Sequence, residues 1–369
     1  MPVGEVVREG DNETGHFRIE RYEPAAAPEN PTFRTGLHRS RPCAVNVSSR
    51  NICEIGSMLA QGFLRYTDWS YWGVMTAEPS WLLERHHWKI DYKDPVGREQ
   101  HMLDTLIRSA DVLHLNCYRS WEFLKRLEAD LRNRTKILMH HHGGNLRDMP
   151  WVTEWERAAG WEVVVSTPDL LCTVPWATWL PSPVDLEEID GNYPQWDKPD
   201  GEFVVGHGYT VPENKGTHEI DAIVSRCARL DASIRYVPWT GVAKRQSMWL
   251  ISQCDLYFST LLYGPGVATL EALAMGIPVL AGCTRQELEA QKRAVGVQTV
   301  EGLPWIYVTR ETAGEWVHEL RNDPELRRAW GEKGRRYVEE FHSIPAVVAR
   351  LKGIYEGMKP CGEVLCSGE

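Results

Sequence analysis

Two periods of hydrophobic and polar residues alternate along the chain. Short apolar runs at 44–48, 72–75, 111–116, 136–140 and 162–166 read as buried strands, and helix-period segments at 52–65, 98–109 and 121–134 fall between them. Such alternation predicts a parallel sheet covered on both faces. A polar stretch at 187–202, with Gly191, Pro194, Pro199 and Gly201, interrupts the pattern and reads as a linker. Alternation then restarts: strand 203–206, helix 217–230, strand 233–237, helix 243–254, strand 256–259, helix 267–275, strand 278–281. The last helical pattern, 324–358, is broken at Ser343-Ile344-Pro345, because proline lacks an amide donor and disfavours helix in the residue before it. The reading is therefore a polar N-terminal arm over 1–41, an α/β domain over 42–190, a linker over 191–202, a second α/β domain over 203–343, and a final helix and tail over 344–369. Two similar-sized α/β units in one chain imply a cleft between them.

With 43% hydrophobic and 25% charged residues, the 369-residue chain has ordinary globular usage. Its 41 Lys and Arg against 51 Asp and Glu give a net charge of −10, which argues against nucleic acid as a partner unless a local basic patch exists. Nine scattered cysteines without a C-x-x-C disfavour a disulfide framework or a zinc ribbon. The opening residues carry acids and no apolar run, so the expected location is the cytoplasm. In the segment 121–134, Lys125, Arg126, Arg132 and Arg134 are diluted by Glu122, Glu128 and Asp130, which favours a solvated face over peripheral membrane contact.

Candidate chemistry concentrates in three segments. Tyr263-Gly-Pro-Gly-Val-Ala-Thr-Leu-Glu-Ala-Leu-Ala-Met-Gly-Ile-Pro-Val279 places a glycine turn before a helix whose free N–H groups and positive dipole end suit a phosphate. Glu271, one turn into that helix, can accept hydrogen bonds from two adjacent hydroxyls such as those of a ribose, or it is an acid satisfied within the protein. The segment 203–217 offers a strand, a loop and Lys215 at a helix start, where its ammonium can neutralise a diphosphate while Thr217 caps the helix; the ordinary alternative is a solvated lysine. The third segment, His140-His-His-Gly-Gly-Asn-Leu-Arg147, follows a strand. Consecutive extended residues point alternately, so its three histidines cannot converge on one metal ion. His142 is either a ligand group or a structural histidine, and Arg147 can meet a phosphate or pair locally.

The run Gly266-Val-Ala-Thr-Leu-Glu-Ala-Leu-Ala-Met-Gly-Ile-Pro-Val279 resembles the nucleotide-binding helix of retaining GT-B glycosyltransferases of the GT4 type, with its G-x-x-x-L-E-A-M-A-x-G-x-P-V pattern. The likeness spans about 136–359 and is strongest over 203–283. It implies an α/β GT-B architecture: two Rossmann-like domains facing a cleft, with a C-terminal crossover helix. It further implies that Glu271 holds the ribose, that Lys215 and the backbone at Gly264, Gly266, Val267 and Thr269 hold the diphosphate, and that Trp239 to Val242 lie against the base. His142, within an H-G-x-x-x-R stretch, would orient the donor sugar from the opposite wall.

The chain departs from the family pattern at several places. The family's second acid, which contacts the donor sugar, is here Tyr263. The arginine that commonly precedes the family lysine is missing, with His207, Tyr209 and Asn214 as substitutes. The first loop, Ser48-Ser49-Arg50-Asn51, lacks the family's glycines, leaving Ser49 and Asn51 as donors.

Activity follows as an expectation: a hexosyltransferase-type enzyme moving a sugar from a nucleoside diphosphate sugar, of UDP or GDP type, to an unidentified glycan, protein or small molecule, with retention. No resident cofactor is implied. No D-x-D triplet occurs, so transfer without a metal is expected. The alternatives are a non-catalytic sugar-nucleotide or glycan-binding relative or partner subunit, and an enzyme glycosylating modified DNA bases. Of sixteen tryptophans, Trp69, Trp72, Trp81 and Trp88 are candidates for acceptor contact through their flat apolar faces, with burial in the core as the alternative.

Overall fold

The structure is a computed structural model describing residues 41–48, 54–75, 88–89, 105–116, 135–193 and 201–360. A first parallel sheet contains β1 (Cys43–Ser48), β2 (Ser70–Met75), β3 (Trp88–Lys89), β4 (Val112–Asn116), β5 (Lys136–His141), β6 (Glu162–Val165) and β7 (Thr178–Trp179), in the order β3-β2-β1-β4-β5-β6-β7. A second holds β8 (Phe203–Gly208), β9 (Ile234–Trp239), β10 (Leu256–Thr260), β11 (Val279–Ala281) and β12 (Ile306–Tyr307), in the order β12-β11-β10-β8-β9.

Each sheet is buried on both faces, as parallel sheets are. Because successive side chains point to opposite faces, Val45 and Val47 enter one core while Ala44 enters another on the far side. In the second sheet Phe203 and Val205 pack on one face and Val204 on the other.

Helices among the described residues include α1 (Ile55–Tyr66), α2 (Gly144–Asp148), α3 (Val152–Ala158), α4 (Leu186–Asn192), α5 (Thr217–Leu230), α6 (Lys244–Ser252), α7 (Val267–Ala274), α8 (Arg285–Val295), α9 (Ala313–Asn322), α10 (Pro324–Tyr337) and α11 (Ile344–Gly357). Between α10 and α11 the chain makes a π-turn over Val338–His342 and restarts with Pro345 in the first turn of α11, where the missing amide costs nothing. From there α11 returns to the first sheet: Val347, Val348, Leu351 and Tyr355 pack with Ile55, Met58, Leu59 and Phe63 of α1. The two lobes are also joined by Val184 N–H donating to His342 O at 2.7 Å.

The sequence reading differs from the structure at the linker. Leu186–Asn192 is helical, capped by Asp185 accepting from Glu188 N–H and buried through Ile189, so the expected boundary at 191 falls inside its last turn. The predicted helix at 121–134, together with Ser49, Asn51 and Trp81, lies outside the described residues.

Candidate functional site

In open α/β sheets, ligands bind beyond the C-terminal strand ends at the point where strand order reverses. In the second sheet that point lies between β8 and β10. The chain leaving β8 carries Lys215, and the chain leaving β10 carries Tyr263 to Gly266 and then α7. These converge: a Cβ built on Gly266, the residue before α7, would lie 3.6 Å from Lys215 Nζ. An ammonium therefore stands beside the N-terminus of a helix whose first N–H groups have no preceding carbonyl to bond. This pairing of a cation with a positive dipole end is a physical anion site.

The turn is fixed by its glycines and its hydrogen bonds. Gly264 has φ 76°, and a Cβ there would lie 1.9 Å from the Gln291 side-chain nitrogen, so any other residue would be strained and would clash. Gly264 N–H donates to Gly282 O at 3.1 Å. Gly266 N–H donates to Thr269 Oγ1 at 3.2 Å, and Thr269 N–H to Gly266 O at 3.0 Å. The expected roles of Gly266 and Thr269 as amide donors are corrected accordingly: both are spent on capping α7, which leaves the amides of Val267 and Ala268 at the helix start. Thr217 is likewise not a cap. Gly216, with φ 69°, precedes α5, and the Thr217 hydroxyl instead meets His207 Nε2 at 3.0 Å.

Glu271 is buried on α7, and its carboxylate lies 3.4 Å from Lys244 Nζ. The same ammonium is 3.2 Å from Glu54 Oε2, which comes from the first lobe just before α1. Burial pushes the Glu271 carboxyl above its ordinary value, Lys244 opposes that shift, and Glu54 and Glu188 add to it. Glu271, Lys244 and Glu188 line a narrow hollow together with Met58, Met248 and the crossing segment at Val184, with Glu54 reaching Lys244 from the first lobe.

From the first lobe, the Arg147 guanidinium lies 4.3 Å from the Tyr263 ring centroid. Its Nε and Nη2 both donate to Asp169 Oδ2, at 3.0 and 2.5 Å. Tyr263, where the family has an acid, thus serves as a stacking platform for a cation from the opposite lobe. It holds a left-handed backbone, φ 62°, supported by Gln291 Nε2 donating to its carbonyl at 3.3 Å.

Other expected site residues turn inward. With neutral rings, His142 Nε2–H donates to Asn116 Oδ1 and its Nδ1 accepts from Ser166 Oγ, so both ring nitrogens are engaged within the first lobe. This corrects the expectation that His142 reaches across the cleft. The bonds continue from Ser166 to His140 at 2.8 Å, from His140 to His114 at 3.2 Å and from His114 to the Tyr355 hydroxyl on α11 at 2.7 Å. Burial pushes His114 and His142 down to about 3, consistent with neutral rings throughout. His141 points the other way and pairs with Glu156 at 2.9 Å, as strand alternation requires. His207 is also buried, bonded to Phe258 O, and pushed down to about 4, so it cannot replace the missing arginine.

Trp239 is corrected as well. Its indole is buried against Gly206 and Gly208, where a Cβ on Gly208 would lie 2.7 Å from the ring, and its Nε1–H donates to Ser247 Oγ at 3.0 Å. Val242 is half-buried against the same core. Replacing Trp239 with phenylalanine is expected to cost about 1–2 kcal/mol of stability, through the lost bond and volume, with nucleotide affinity unchanged. Thermal melts and a nucleotide titration on one sample separate that outcome from a role in base contact. Trp69 is buried with Phe63 and Tyr355, and Trp72 packs on the opposite core, which withdraws both as acceptor contacts.

Sequence reasoning missed Glu54, Asp169, Lys244 and Gln291. One signal was available for Lys244: a cation in the first turn of a helix opposes the helix dipole and needs a compensating acid. Among the described residues, no group of three or more His, Cys, Asp or Glu is placed to hold a metal ion, and no helix is long and apolar enough to cross a membrane.

No protein-family profile and no curated protein sequence matches the chain. Solved structures do. An alpha-glucosyltransferase in complex with UDP-glucose and DNA containing an abasic site aligns with TM-score 0.62 at 10% identity, over 85% of this chain and 99% of that one. HepE from Anabaena, in complex with UDP-glucose, aligns with TM-score 0.54 at 10% identity, over 86% and 100%. A glycosyltransferase from Rickettsia africae aligns with TM-score 0.53 at 11% identity, over 89% and 100%. Two facing parallel sheets and these alignments along nearly the whole length of each neighbour give the chain the GT-B fold of glycosyltransferases.

Proposed function

We propose that the protein is a glycosyltransferase that takes a sugar from a nucleoside diphosphate sugar, of UDP type, and passes it to an acceptor still to be identified. The observation that carries this reading is the placement of Lys215 beside the start of α7, with Glu271 one turn further along the same helix. That spacing suits one ligand with a diphosphate at one end of the contact and a ribose diol at the other. Arg147 enters from the facing lobe over the Tyr263 ring, its charge shared with Asp169.

In this mechanism, Lys215, Arg147 and the amides of Val267 and Ala268 stabilise the diphosphate as it departs, when its charge grows. Glu271 anchors the ribose, and closure of the lobes excludes water from the sugar. Retention and independence from metal belong to the same reading; the first rests on the resemblance in the sequence and the second on the lack of a D-x-D triplet. The UDP assignment draws on UDP-glucose bound in two of the similar structures. Because one of those also holds DNA, a nucleic-acid acceptor is tested beside glycans, proteins and small molecules by salt-dependent DNA binding.

A thermal-shift panel of UDP, GDP, ADP, CDP and dTDP tests the reading. A selective ligand at a hundred times its Kd adds about 2.7 kcal/mol of stability and raises Tm by a few degrees. UDP is expected to give the largest rise, and no rise with any of the five would remove the basis for the proposal.

A further inference from the structure

We propose that Lys244 is a positioning residue of the nucleotide site, held between the lobes so that Glu271 stays ionised and able to accept the ribose hydroxyls. The inference rests on the reading of Glu271 given above. Its own ground is the geometry: one ammonium, 15% exposed, is shared by two carboxylates from different lobes, Glu54 at 3.2 Å and Glu271 at 3.4 Å, with side chains 4% and 9% exposed.

Two buried carboxylates that close to one cation repel each other, and without the cation Glu271 would be pushed further toward its protonated form. A protonated Glu271 offers fewer acceptor sites to a diol. The other charged groups around Glu271 do not substitute for Lys244. Glu188 of α4 is another acid, and Asp185 caps that helix. Tyr257 of β10 is neutral and donates to Gly208 O. Arg335 of α10 is committed to Asp190, Glu339 and the carbonyl of Ala274. Glu54 itself adopts a left-handed backbone, φ 59°, which a non-glycine residue holds only when its surroundings fix it. The bridge also makes the ribose acceptor sensitive to lobe position, because part of its counter-charge is divided with the first lobe.

The test uses the full chain and the variants Lys244→Met and Lys244→Met/Glu54→Gln. The first readout needs no ligand. The attraction to Glu271 is present when that carboxylate is ionised and is lost as it protonates. The Tm deficit of Lys244→Met relative to wild type should therefore grow from pH 5 to pH 8, and Glu54→Gln should reduce it at pH 8.

The second readout is UDP affinity. In wild type it should be level between pH 6 and pH 8. In Lys244→Met it should be about tenfold weaker than in wild type at pH 6, because losing the cation pushes Glu271 further toward its protonated form, and recover toward pH 8. Glu54→Gln should restore binding at pH 6 by removing the repulsion. A purely packing role for the lysine stem gives a stability loss that is flat with pH and is not rescued, and that result overturns the inference. If wild type fails to bind UDP, the reading of the nucleotide site fails, and the melts still decide the role of Lys244.

Discussion

Replacing Glu271 with alanine should weaken UDP binding by about tenfold to a hundredfold while the protein stays folded, because losing charge-assisted hydrogen bonds costs roughly 1.5–3 kcal/mol. The effect should be confined to ligands with a ribose. Inorganic diphosphate, which has no hydroxyls for this carboxylate, should bind the variant as it binds wild type. Removing the carboxylate also relieves its repulsion with Glu54 and keeps the pairing of Lys244 with Glu54, so Tm is not expected to fall far. Calorimetric titration of the two ligands gives the answer, and equal affinity of wild type and variant for UDP would place the ribose elsewhere.

Lys215→Met should act mainly on the chemical step. Its ammonium stands beside the start of α7, where the leaving diphosphate gains charge as the bond to the sugar breaks. Loss of a single donor at such a position lowers kcat by about 10²–10³. Hydrolysis of UDP-glucose in the absence of acceptor is the simplest measurement. Ground-state UDP binding should weaken less than kcat falls, because Arg147 and the helix amides remain. Lys215→Arg should recover part of the rate, since charge is the property at stake, with the planar fork less well fitted to the space beside Gly266. A variant that keeps the full hydrolysis rate would put the lysine outside the reaction.

Both residues were readable in the chain before folding. Lys215 follows a strand and loop at a helix start, and Glu271 lies one turn into a helix opened by glycines; local spacing fixes each of these relations. The elements themselves were legible for the same reason. Helix 217–230 and the restart at Pro345 follow from periodicity and from the chemistry of proline. The start of the polar stretch, with Glu187, Glu188 and Gly191, looks like loop composition, whereas burial of Ile189 against the second lobe makes Leu186–Asn192 a helix.

Partners are a different matter. Nothing local indicates that Trp239 lies over two glycines of the neighbouring strand or that both nitrogens of His142 are already bonded. Nor could the chain show that Arg147 crosses to Tyr263, or that Glu54 and Lys244, 190 residues apart, share a charge. The sequence by itself determined the order of strands and helices, the glycine turn before α7 and the two groups that flank it, because these depend on neighbours within a few residues. Only the tertiary structure decided which polar groups face the cleft and which are consumed inside a lobe. Hydrogen bonds and ion pairs between distant segments depend on positions in space that periodicity does not encode.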